Sequence, residues 1–385
     1  MTRRDGISTR SFDRPGNSGE HFITIQPPSE MTLDQQIAYV QQRYDIAQHR
    51  LALPTGSAVC RRLFVSDATN QAAQLKPYFS VDADGSPVAL SIIQQPPLSR
   101  AKVELLAYHV DGAADANKQR LSDHEVLIER NGLKHLWSTG LCAGACDGPS
   151  DAAAQTRHVF DELIGTLAKN GGTLSENCVR TWLYMKGVDV FYQDMVDART
   201  ALFLEQDLSP ETHFIASTGI EGGCAHRYDV VAMDAYSLIG LEPEQISYLN
   251  DFDRLCPTAD YNVTFERGTR IAYAERAHHY ISGTASIDSH GDVVHPGCVM
   301  AQLERALENV EALLRSGQAC FDDMMYLLVY LRDPADYTRV DAYLRQHYAD
   351  LPTLIVQGAV CRPAWLIEVE GVAVARHHDP TLPNF

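Results

Sequence analysis

The segment Leu366-Ile367-Glu368-Val369-Glu370 alternates apolar and acidic residues, so as a strand it sets both carboxylates on one face and Ile367 and Val369 on the other. Where such a face borders a cleft, Glu368 is desolvated, its pKa rises, and it can act as a general acid. Where the face meets water, the pair are ordinary glutamates. Six residues before Glu368 stands Arg362, between Cys361 and the stiffening Pro363. It is placed to grip a carboxylate through both arms of its guanidinium, or to make a surface salt bridge. Arg180, in Val-Arg-Thr-Trp-Leu-Tyr, interrupts an otherwise apolar strand and needs either a partner or an anionic ligand. Arg267, in Phe-Glu-Arg-Gly, is a third candidate cation, with Glu266 beside it as a structural partner instead. Cys361 reads as a nucleophile or as a packed, inert thiol at a strand end.

These residues must be held by regular elements, and the pattern supplies them twice. Residues 280–371 read as one β-α-β-α-β unit, from Tyr-Ile-Ser-Gly-Thr-Ala-Ser through a helix around 302–314 to Val-Cys-Arg-Pro-Ala-Trp-Leu-Ile-Glu-Val-Glu. A degraded copy precedes it: Leu-Trp-Ser-Thr-Gly at 136–140, a helix around 155–167, Ile-Ala-Ser-Thr-Gly-Ile-Glu-Gly at 215–222, and Tyr-Asp-Val-Val-Ala-Met-Asp at 228–234. Tyr184-Met185-Lys186 matches Tyr330-Leu331-Arg332 and sets the register between copies. Gly223 and Ala232 stand in the earlier copy where the later one has an arginine and its paired glutamates, which puts the chemistry in the C-terminal half. In both copies apolar residues recur at helical spacing, as in Val159, Phe160, Leu163, Ile164 and Leu167. The expected class is α+β, with helices on one face of each sheet, copies covering one another about a pseudo-symmetry axis, and pockets between them.

The expected division is a disordered tail at 1–20, an N-terminal β-rich subdomain at 21–131 with no amphipathic helix between its strands from Arg61 to Val110, a degenerate unit at 132–256, and the catalytic unit at 257–385. A formal net charge of −18 argues against nucleic-acid and anionic-membrane partners, and admits an anionic small molecule only where arginines gather locally. No secretion signal or membrane-spanning run is evident, which places the protein in the cytoplasm. Nine cysteines in such a chain fit reduced thiols. The only close pair, Cys142-x3-Cys146, has no second pair at metal-ligand spacing, so no metal is expected. The adjacent pairs His278-His279 and His377-His378 point apart on a strand and read as surface or rim residues.

Two resemblances rest on these motifs. The unit 280–371, with Ser-Gly-Thr-Ala-Ser and Arg-Pro-x4-Glu-Val-Glu, resembles the RidA/YjgF enamine/imine deaminases, which form trimers with sites between subunits. More specifically, Pro257-Thr258, Tyr261 and Thr264-Phe265-Glu266-Arg267-Gly268-Thr269 leading into 280–288, with the preceding Ser-Thr-Gly-Ile-Glu-Gly, resemble the chorismatases over about residues 55–378. The resemblance implies tandem RidA/YjgF-like units forming an internal pseudo-trimer, as a monomer or weak dimer, that cleaves the enolpyruvyl ether of chorismate without metal or organic cofactor. It makes Glu368 the proton donor and Arg180 and Arg362 the carboxylate grips. Tyr184, Arg267, Tyr273 and Ala274 join them as substrate-binding residues. Cys361, with Arg362 easing its ionisation, is implicated in forming 3-hydroxybenzoate or 3- and 4-hydroxybenzoate together. Ala274 fits instead the branch that gives a dihydroxycyclohexadiene carboxylate by hydrolysis. A RidA-like imine deaminase holding its substrate through Arg362, or a non-catalytic binding protein, are the competing readings.

Overall fold

Apolar runs punctuated by Gly, Pro and Asp turns build three sheets. The computed structural model describes residues 5–13, 18–144, 151–261 and 263–385. The first unit contains β1 (Ile7–Phe12), β2 (Glu20–Ile25), α1 (Leu33–Arg50), β3 (Ala58–Val65), α2 (Ala68–Phe79), β4 (Ala89–Gln94) and β5 (Val103–Val110). The second contains β6 (Asn117–Arg120), β7 (Glu125–Arg130), β8 (Leu133–Cys142), α3 (Ala152–Lys169), the short α4 (Leu174–Asn177), β9 (Cys178–Met185), α5 (Val188–Glu205), β10 (Ala216–Glu221) and β11 (Val231–Ile239). The third contains β12 (Ile246–Tyr248), β13 (Gly268–Ala272), β14 (Arg276–Ala285), α6 (Val299–Ser316), β15 (Met324–Leu331), α7 (Tyr337–His347), β16 (Thr353–Gln357) and β17 (Ile367–Arg376).

The strand orders are β1-β2-β5-β3-β4, β6-β7-β8-β11-β9-β10 and β12-β13-β14-β17-β15-β16. Apart from the extra strand β6 or β12 at one edge, one order serves all three units, and in each only the final edge pair is parallel. The chain is thus a threefold tandem. Contacts of β4 with β8, β10 with β14, and β1 with β15 join the units in a ring.

The N-terminal third departs from expectation. Ile7–Phe12 is a strand paired antiparallel with Glu20–Ile25, not a loose tail. The stretch from Arg61 to Val110, expected without a helix, carries α2, and with α1 before it this completes a β-α-β-α-β pattern. Helix α1 escapes a hydropathy reading because its buried stripe is thin, Ile37, Val40, Tyr44 and Ala47 among glutamines. A capping box starts it, with Thr32 Oγ1 accepting from the Gln35 amide and Gln35 Oε1 accepting from the Thr32 amide. In α2 the apolar pattern is broken by Pro77. Residues 117–130, expected at the end of the first subdomain, form a hairpin of the second sheet. No helix among the described residues is long and apolar enough to cross a membrane.

Polar pairs bury themselves where units meet. Oε1 of Glu20 on β2 accepts from Arg276 Nη1 at 2.6 Å and meets Nε2 of His278 at 2.9 Å, both on β14 of the third unit, while Oε2 accepts from Tyr108 at 2.6 Å. Here the rim reading of the first histidine pair fails: His278 and His279 are both buried, and His279 Nε2 meets the carbonyl of Gly317 at 2.8 Å. The side chains do point apart, each to its own partner. Removing one member of a buried ion pair strands the other, at a cost of about 3–5 kcal/mol. Glu20→Ala should therefore lower the unfolding free energy from urea titration by that amount, measured against Glu30→Ala on the surface; a loss no greater than the surface control's would show that this junction does not depend on the pair.

Candidate active site

A pocket of about 460 Å³, part of it open to solvent, lies between the second and third units. From the second unit, α5 contributes Tyr192 and Arg199, and β10 contributes Ser217, Thr218 and Gly219. From the third, the strand-and-loop ends contribute Arg267, Gly283, Cys361, Trp365 and Glu368, with Val263 and Phe265 closing the apolar side. Residues 145–150 and 262 lie outside the description, as does the side chain of Tyr261, so Cys146 and the Tyr261 part of the motif are not placed.

Glu368 sits on β17 opposite Tyr330 of β15 and Ala285 of β14. It is 6 % exposed, and among the described residues no hydrogen-bond donor reaches its carboxyl group. Burial pushes its pKa up to about 8; the nearby charge of Glu370 adds to the rise, and Arg180 and Arg267 oppose it. The carboxyl group therefore holds a proton at neutral pH, in a cavity, beside cations.

Glu370, on the same face of the strand, has a different task. Its Oε2 takes Nη2 of Arg180 at 2.8 Å and the hydroxyl of Thr218, its Oε1 takes Nε1 of Trp182 at 2.8 Å, and Nη1 of Arg62 lies 3.6 Å away. Arg180 is 1 % exposed and does not line the cavity. Of the alternatives open for a charge inside an apolar strand, the structure gives Arg180, expected as a carboxylate grip, a protein partner in Glu370.

The other expected residues divide in the same way. Arg267 is buried in the cavity wall, donating through Nη2 to the carbonyl of Cys256 at 3.1 Å. Arg362 does not line the cavity; its guanidinium lies 5.6 Å from the Trp365 ring centre. Cys361 does line it, but burial pushes the thiol up to about 12, and the charge of Glu368 adds to this, against weaker help from Tyr192 and Arg362. The expected activation by Arg362 is outweighed, and Cys361 is a neutral thiol. Tyr184 lies in the buried polar cluster between the first and second units, donating to Asp234 at 3.3 Å and accepting from Arg62. Tyr273 packs at the β13–β14 turn, its ring centre 5.1 Å from that of Phe385, and Ala274 exchanges backbone hydrogen bonds of 2.9 Å with Pro383 and Asp379. Neither of these two lines the cavity that holds Glu368.

Several cavity residues were not anticipated. Arg199 is 1 % exposed on the inner stripe of α5, with Met195, Leu202 and Phe203, and its Nε donates to Thr264 Oγ1 at 3.1 Å. A charge on an apolar helical face is the same signal that drew attention to Arg180, and it was legible. Gly283, the glycine of Ser-Gly-Thr-Ala-Ser, leaves room for the acid: a Cβ there would stand 2.8 Å from Cδ of Glu368 and 3.0 Å from Cγ2 of Thr218.

Comparisons with known proteins bear on the family and the fold. Residues 269–375 match the family described as Endoribonuclease L-PSP. The 3-aminoacrylate deaminase RutC of Acinetobacter baylyi is 30 % identical over 96 residues, 24 % of this chain and 76 % of that protein. This chain belongs to the Endoribonuclease L-PSP family. The family's unit is the third of the three, the one that carries Glu368. Over a longer span the chain is similar to the chorismatases. A 3-hydroxybenzoate synthase of Streptomyces hygroscopicus is 27 % identical over 277 residues, covering 64 % of this chain and 77 % of that protein. A chorismatase of Streptomyces rapamycinicus is 28 % identical over 243 residues, covering 57 % and 69 %. A chorismatase crystal structure shares the fold at a TM-score of 0.63 and 18 % identity, covering 95 % of this chain and 98 % of that one.

Two substitutions check the site's construction. Arg180→Ala leaves the Glu370 carboxylate buried without its closest cation, so thermal or urea unfolding should show a loss of about 3–5 kcal/mol; a variant of wild-type stability would return Arg180 to a ligand-binding role. Gly283→Ala pushes against the flexible end of Glu368, so the fold should persist while the carboxyl group is displaced. A displacement of this size costs turnover by about a hundredfold. Unchanged kcat in a folded Gly283→Ala protein would show that the close approach is not needed.

Proposed function

We propose that this chain acts on chorismate, cleaving its enolpyruvyl ether to pyruvate and a hydroxybenzoate, with Glu368 as the proton donor. The observation that carries the reading is a buried carboxyl group, its pKa pushed up to about 8, in a cavity that also holds the guanidinium groups of Arg199 and Arg267. Chorismate is a dicarboxylate, and buried guanidiniums are the groups that recompense carboxylates for leaving water. These two, from facing units, take the roles first given to Arg180 and Arg362. Glu368 protonates the enol-ether methylene, and the resulting oxocarbenium ion is trapped by water or by a hydroxyl of the substrate. Pyruvate and hydroxybenzoate together have the composition of chorismate, so this outcome consumes no water overall. Addition of water gives pyruvate and the dihydroxycyclohexadiene acid.

Cys361, as a neutral thiol hydrogen-bonded to Tyr192, is suited to orient or relay a proton near the ring, not to attack it as a thiolate. The imine-deaminase reading depended on Arg362, which lies outside the cavity wall. Because three units already close a ring within one chain, the working species in this reading is a monomer.

The test is direct. Purified protein incubated with chorismate should release pyruvate, with hydroxybenzoate appearing on chromatography. Glu368→Gln should lower turnover by about a hundredfold or more with its fold intact. Since the acid must be protonated to act, kcat/KM of the wild type should hold below about pH 8 and fall as pH rises through the Glu368 pKa. Ammonia release from an imine, or saturable chorismate binding without turnover, would replace this reading with one of its competitors.

A further inference from the structure

At one end of the second sheet, three chain segments bring together groups that the proposed chemistry does not use. Cys142 ends β8, Cys224 follows β10, and Asp229 precedes β11. Their donor atoms, two sulfurs and a carboxylate oxygen, all lie within 4.8 Å of one another. The site stands apart from the cavity between the second and third units, and none of its members lines that cavity.

We propose that Cys142, Cys224 and Asp229, with His226 as fourth ligand, bind a zinc ion. A tetrahedral zinc with sulfur at about 2.3 Å and oxygen or nitrogen at about 2.0–2.2 Å spaces its ligands about 3.3–3.8 Å apart, so a small contraction of the observed cluster completes the geometry. Nδ1 of His226 lies 3.7 Å from Oδ2 of Asp229, and its half-exposed ring must rotate to bring a nitrogen to the two sulfurs. The carboxylate is oriented from behind, as metal ligands are: Oδ2 of Asp229 accepts from the Gly144 amide at 3.0 Å. Asp229 is 1 % exposed and Cys224 8 %, so ionised donors here are shielded from water and need a cation. Lys186 stands close, its ammonium hydrogen-bonded to the carbonyl of His226 at 2.6 Å, but one ammonium does not balance two thiolates and a carboxylate. Paired thiolates select soft or borderline metals over magnesium and calcium.

Such an ion would tie together the ends of β8, β10 and β11. Strand β10 also bears Thr218 and Gly219 of the cavity, and its Glu221 caps α5 by accepting from the amides of Gly187 and Val188 at 2.9 and 2.7 Å. The site is therefore structural, and its role does not rest on the chorismate reading.

Full-length protein purified without chelator should contain one zinc per chain by elemental analysis, and its melting temperature should fall when a strong chelator removes the metal. Cobalt substitution should give the near-ultraviolet thiolate-to-cobalt band and the intense visible bands of a tetrahedral site. Cys142→Ser should roughly halve the thiolate band, and Cys142→Ser with Cys224→Ser should abolish it. Should these variants fail to fold, thiol modification of the wild type with a mercurial reagent should release its zinc to a coloured chelator. Absence of stoichiometric zinc, or a cobalt spectrum without the thiolate band, would each overturn the proposal.

Discussion

The arrangement depends on one buried carboxylate. Glu370 is held by Arg180, Trp182 and Thr218 of the second unit while its own strand belongs to the third, so the ion pair fixes how those two sheets meet. An uncompensated charge in that position is prohibitive, and each alternative docking of the units would leave one. Glu368, two residues along the same face, is then carried to the cavity wall without a partner of its own. Its raised pKa is thus a consequence of the docking: burial at the junction raises it, and the charge of Glu370 adds to the rise.

The threefold repeat shows how one junction became chemically distinct. Pairing register places Leu106, Asp234 and Glu370 in equivalent positions opposite Arg62, Trp182 and Leu328. Across the junctions, Ser91 meets Asp234 at 2.5 Å and Thr218 meets Glu370, whereas the corresponding residues at the third junction are Leu354 and Leu106. The same register puts Glu104, Ala232 and Glu368 opposite Phe64, Tyr184 and Tyr330. The second unit has lost the acid altogether. The first retains a carboxyl group at Glu104, but on a junction whose facing helix is α7, within electrostatic reach of Tyr337. Only at Glu368 does the acid coincide with α5, the helix that carries Arg199.

What the sequence revealed follows the range of the interactions concerned. Strand alternation at 366–370 and the helical stripes of α3 and α6 are local properties, and the chain displays them openly. The register between copies was also legible, since Ala232 does occupy the place of Glu368. Helix α1 was hidden because its packing uses a narrow apolar stripe and its start relies on a polar capping box, which mean hydropathy does not report. Arg180 posed a question that local sequence cannot answer: its partner, Glu370, is 190 residues away. Arg199 and Arg362 exchange their expected importance for a related reason. A guanidinium on an inner helical face is compelled inward by the packing around it, whereas one in a loop beside a proline can rest against a tryptophan and stay outside.

The electrostatics of the cavity also couple binding to proton delivery in the proposed reaction. Arg180 and Arg267 pull the Glu368 pKa down, and burial with the charge of Glu370 pushes it up by more. A dicarboxylate bound between Arg199 and Arg267 brings negative charge against the cations that favour ionisation, and it excludes whatever water reaches the carboxyl group. Both changes act in one direction, raising the pKa further and holding the proton on Glu368 until the enol ether is in place. An acid made strong by a nearby free arginine would already have released its proton at neutral pH. With Arg180 committed to Glu370, burial remains the larger effect on Glu368, and the acid stays loaded.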